Sequence, residues 1–140
     1  MIDSVIKEIK QQCGKVRVLN HGWCHFVYRH LHYLYIPDDS NGMIRISIPH
    51  VVGSKEYKKE KVDAAINETN REVKFIKAMV LNNGSISLNY DHRISNGENV
   101  SEIVEHIIKT LYIASEYLLQ KLGKKKLNPF GYISTESLIN

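Results

Sequence analysis

Three features of the sequence predict an α+β fold, with a mainly antiparallel sheet of about five strands and helices packed on it. Val100, Ile103, Val104, Ile107, Ile108, Leu111, Ala114, Leu118 and Leu122 recur at helical period. Ile44, Ile46 and Ile48 alternate with Arg45 and Ser47, and Ile86, Leu88 and Tyr90 alternate with Ser87, Asn89 and Asp91, as in strands with one wet face. Between two strand-like stretches stands Asn83-Gly84, a dipeptide that tolerates positive φ at both central positions of a two-residue hairpin turn. The expected order is α-β-β-β-α-β-β-α, with the Val73–Tyr90 hairpin at the centre of the sheet.

Taken in order, Ile2, Val5, Ile6 and Ile9 share one helical face with Cys13 a turn further on, and Gly14 offers the stop. Lys15 to Leu19 is a short strand candidate, followed by a turn at Asn20-His21-Gly22. One longer strand is expected through His25 to Ile36, where aromatic and β-branched residues are dense. Pro37 to Gly42 carries turn chemistry, and the Ile44–Ile48 strand is expected to end at Pro49. Ser54 is placed to cap a helix that ends near Asn70. Val73 to Leu81, mostly apolar on both faces, reads as an inner strand. Asn96-Gly97 makes a turn, Asn99 and Glu102 form a capping-box variant, and Gly123 closes the last helix. One domain is expected over 1–123, with 124–140 as an extended tail interrupted by Pro129 and Gly131.

Composition excludes little and points to a cytoplasmic protein. No apolar run has the length that spans a bilayer, and Met1 to Gly14 lacks the apolar centre of a signal peptide. Cys13 and Cys24 give no disulfide framework, so a reduced compartment is the default. The net charge of +4 invites nucleic acid, but lysines of the Lys55–Lys61 run alternate with Glu56 and Glu60, as on a solvated helix face.

The element order, with Ile66-Asn67-Glu68-Thr69-Asn70 closing the second helix and a strand–turn–strand–long-helix second half, resembles the YbjN family, which is similar in fold to type III secretion chaperones. The resemblance covers roughly Ile2 to Leu122 in element order, and in residues mainly Val62 to Leu122. It implies a non-enzymatic, often dimeric protein that presents apolar surface to a partner chain. Secretion chaperones are typically acidic, whereas this chain is basic.

Two stretches suggest chemistry. Asp91-His92-Arg93-Ile94-Ser95-Asn96-Gly97 resembles the Asp-His-Arg-x-x-Asp-Gly motif of the lipoyl acyltransferases of 2-oxo acid dehydrogenase complexes. That resemblance makes His92 the base that activates a coenzyme A or dihydrolipoamide thiol, with Asn96 where the family has aspartate. The chain is shorter than that catalytic domain. The other stretch holds His21, Cys24, His25, His30 and His32. On one extended strand Cys24, His30 and His32 project to one side and His25 to the other, which falls short of a tetrahedral zinc set. No catalytic residue, metal or cofactor is assigned. A third reading stacks nucleic-acid bases on the aromatic strand beside Arg29.

The favoured reading is a chaperone-like or adaptor module that binds another polypeptide and forms a homodimer. Tyr28, Tyr33, Tyr35, Tyr112, Ile113 and Tyr117 are the expected contact residues, because large amphipathic side chains beside or off the helical stripe favour an interface. In the competing monomer these tyrosines pack under the tail through Phe130, Tyr132 and Ile133.

Overall fold

The computed structural model describes residues 1–123, together with the backbone of 126–128 and 131–133. Helix α1 (Ile2–Cys13) precedes four strands: β1 (Arg17–Val18), β2 (Cys24–Tyr28), β3 (Leu31–Asp38) and β4 (Met43–Gly53). Helix α2 (Lys59–Glu72), strands β5 (Lys77–Val80) and β6 (Ser85–Arg93), and helix α3 (Val100–Lys121) follow. The sheet has six strands in the order β1-β2-β3-β4-β6-β5, every neighbouring pair antiparallel. Beyond α3, β7 (Lys126–Asn128) and β8 (Gly131–Ile133) form a separate antiparallel pair. The rest of the expected tail lies outside the described residues, as do the side chains of Phe130, Tyr132 and Ile133.

Period-two burial decides which face is covered. Cys24 and Phe26 of β2, Tyr33 and Tyr35 of β3, Ile44, Ile46 and Ile48 of β4, and Ile86, Leu88 and Tyr90 of β6 are buried together. The registers Phe26↔Tyr33, Tyr35↔Ile46 and Ile46↔Tyr90 put them on one face. Helix α3 lies on that face against β4 and β6, with α1 on one flank over β2 and α2 on the other over β5. Its stripe, Val104, Ile107, Ile108, Leu111, Ala114 and Leu118, is buried throughout, as the sequence period predicts. Asn99 caps α3, its side chain accepting from the Glu102 N–H at 3.1 Å.

Five local expectations are corrected. The aromatic stretch is two strands, because Arg29 (φ 48°) and His30 (φ 70°) make a two-residue turn, which brings the count to six. Pro49 does not end β4. It sits with His50 and Val51 in a bulge opposite Ser87, outside the registers with both neighbouring strands, so its missing N–H removes no ladder bond. Ser54 does not cap α2, because its N–H is bonded to the Gly84 carbonyl at 2.8 Å and it starts a short 3₁₀ turn; Lys58 stands at the cap without a side-chain bond. The Val73–Leu81 strand shrinks to β5 and lies at the sheet edge, so the centre of the sheet is β3 and β4. Gly84 alone of the turn pair has positive φ (88°): Leu81 C=O accepts from Gly84 N–H, and Leu81 N–H donates to Ser85 C=O. A three-residue loop with glycine in the left-handed position therefore replaces the expected two-residue turn.

Candidate partner-binding surface

The β2–β3 turn positions the first cluster. Tyr28, the last residue of β2, meets Tyr112 of α3 edge-on at 5.9 Å, and Tyr33 at 6.1 Å. Arg29 at the turn tip lies over both of the former rings, its guanidinium carbon 5.5 Å from the Tyr28 centroid and 5.1 Å from that of Tyr112. Ile113, next to Tyr112, is 58% exposed on the outer ridge of α3. Tyr117 is half-buried, with the Lys121 ammonium 5.2 Å from its ring centroid.

Two of the expected contact residues are elsewhere. Tyr33 and Tyr35 are fully buried, since their β3 parity aims them under the helices. The Tyr33 ring stacks on Phe26 at 5.1 Å and its hydroxyl donates to the Ile108 carbonyl at 3.2 Å. Burial drives both phenols far above their ordinary range; Asp39 and then Cys24 add to the rise at Tyr35. The arrangement also removes the aromatic platform needed for stacking nucleic-acid bases, because Phe26, Tyr33 and Tyr35 face the core.

A second cluster went unread in the sequence. Phe75, between α2 and β5, is 74% exposed and has φ 68°, a left-handed conformation that bulky residues rarely adopt. Its ring stacks on Tyr90 at 6.1 Å, and Tyr90 meets His106 of α3 edge-on at 6.1 Å. Burial raises the Tyr90 phenol. Reading Val73 to Leu81 as one inner strand buried Phe75 on paper; the sequence offers no turn residue there to contradict it. Val18, Trp23 and Val27 are further exposed apolar side chains, at the β1–β2 end of the sheet.

The histidine and motif candidates resolve locally. Splitting the strand sends Cys24 into the core, while His25 and His32 stack across β2 and β3 with His25 Nε2 and His32 Nδ1 2.8 Å apart. Partial burial, then His32 and Arg17, hold His25 below the ordinary imidazole value. Among the described residues no three His, Cys, Asp or Glu side chains converge as metal ligands. His92, near the end of β6, bonds through Nε2 to both Glu98 oxygens at 3.2 Å, and Glu98 accepts the Ser95 N–H at 2.6 Å. That N–H and then His92 keep the Glu98 carboxyl below its ordinary range. Asn96 and Gly97 form the turn between Ser95 and Glu98, ahead of α3.

No protein-family model matches the chain, and no curated protein does. Among solved structures, a chain of the HopA1–SchA chaperone–effector complex is similar in fold, at 7% identity and a TM-score of 0.59 over 84% of this chain and 92% of that one. What the two chains share is the fold. No helix of the described residues is long and apolar enough to cross a membrane.

Proposed function

We propose that this chain is a non-enzymatic, chaperone-like or adaptor module that binds a segment of another polypeptide in the cytoplasm. Phe75 carries the reading: a bulky aromatic residue in a left-handed backbone conformation, with 74% of its surface in water, gains little within the chain for its strain. Ile113 adds a second exposed apolar contact on α3. The fold likeness to a chain of a chaperone–effector complex supports the same reading. We further propose kinship with the YbjN family and pairing into a homodimer, which sedimentation velocity tests.

A photo-crosslinking amino acid placed at Phe75 or Ile113 in the native cell tests the binding role. Adducts to another polypeptide from both positions, and none from a matched probe at Lys58, are expected. Equal labelling at all three positions, or labelling of the chain by itself alone, would contradict it.

A further inference from the structure

We propose that Arg29, braced by Tyr28 and Tyr112, is the docking point for a carboxylate in an acidic segment of the partner, with an adjoining apolar residue of that segment seated on Ile113. The inference rests on the polypeptide-binding reading and names the class of segment bound. The guanidinium lies over both tyrosine rings, and Arg29 takes part in none of the ion pairs among the described residues. Stacking occupies the face of the guanidinium and the Tyr112 and Tyr28 hydroxyls lie within reach of part of its edge, while the remaining donors keep the planar fork that fits a carboxylate. Its backbone is fixed as well, since Arg29 and His30 form the turn at φ 48° and 70° where Asn-Gly would be the unstrained choice.

The surroundings select a carboxylate on a peptide over a phosphodiester strand. Among the described residues Lys109, a cation of α3 close to Arg29, is engaged by Glu105 at 2.6 Å, so it adds no free charge beside Arg29 to the row that a nucleic-acid backbone needs. Ile113, 58% exposed one step along α3 from Tyr112, gives the apolar half of the contact. The net charge of +4 steers acidic partners toward the chain.

The test is selection from a displayed library of random peptides against the wild type, Arg29→Glu and Arg29→Lys, each first checked for an unchanged melting curve. Wild type should enrich Asp or Glu beside an aliphatic residue, and Arg29→Glu should lose that preference. Selected peptides should bind Arg29→Lys about tenfold more weakly, because lysine keeps the charge but not the fork. Acidic enrichment that persists in Arg29→Glu, or selected peptides without acidic residues, would overturn the docking point and leave polypeptide binding standing. Selecting no peptides at all would overturn both. Oligothymidylate binding that disappears in Arg29→Glu would overturn the proposal in favour of nucleic acid.

Discussion

The Asn70 side chain is bonded in both directions to the backbone of Ala78: Asn70 Nδ2 donates to the Ala78 carbonyl at 3.1 Å, and Ala78 N–H donates to Asn70 Oδ1 at 2.6 Å. Ala78 belongs to β5, the edge of the sheet, and Asn70 to the last turn of α2. The amide thus occupies two of the backbone groups through which a foreign strand would pair with this edge. Replacing Asn70 by Ala should cost about 2 kcal/mol by leaving both groups without that partner. It should also promote association at high concentration through the freed edge. Urea unfolding and light scattering check the two effects, and a variant with wild-type stability and mass would contradict the role.

The two core tyrosines should respond in opposite ways to loss of a hydroxyl. Tyr33 donates to the Ile108 carbonyl, so Tyr33→Phe should destabilise by about 1 kcal/mol. The buried Tyr35 hydroxyl has no hydrogen-bond partner among the described residues, so Tyr35→Phe should be neutral or stabilising. Thermal unfolding of the pair decides it, and equal destabilisation would contradict the assigned contacts.

Glu98 predicts a contribution to stability that acid removes. Its carboxyl is depressed below the ordinary 4.5, first by the Ser95 N–H and then by His92. A depressed folded-state value means that the contribution is present above about the ordinary value and is lost as pH falls through the folded one. Glu98→Gln should therefore be less stable than wild type at neutral pH, with the gap closing in acid below the ordinary carboxylate range. A gap independent of pH would contradict the contact.

Gly84→Val should cost roughly 1 kcal/mol or more, because φ 88° suits glycine and strains a β-branched residue. A Cβ there would meet Lys55 Cε at 3.7 Å and Ser54 Oγ at 3.8 Å, ordinary contacts, so the cost is one of conformation rather than collision. Asn83 lacks positive φ and bonds Ser85 N–H through Oδ1 at 2.9 Å, so Asn83→Ala should cost less than Gly84→Val. Chemical denaturation gives the ranking, and the reverse order would contradict the loop assignment.

What the sequence reveals follows from how local its cause is. Helices α1 and α3, strand β6 and the Asn99 cap rest on periodicity or on contacts within one turn, and all are legible. The Arg29-His30 turn is not, because neither residue is a usual turn former and the flanking aromatic residues continue a strand pattern. Losing that turn also loses the face of every residue after it, which is why Tyr33 and Tyr35 read as surface while they lie under the helices. The Arg29 contact that joins Tyr28 and Tyr112 comes from tertiary packing, which no local pattern of the sequence carries. Pro49 misleads for a similar reason, since only the long-range registers show that it is bulged out of both ladders.

Phe75→Gly tests most directly whether Phe75 is held in solvent for a partner rather than for the fold. Glycine relieves the φ 68° strain, offset by the greater freedom of its unfolded chain, so stability should stay within about 1 kcal/mol of wild type. Crosslinking from a probe at Ile113 should meanwhile fall to background in the Phe75→Gly variant. A large loss of stability with partner crosslinking unchanged would contradict the account.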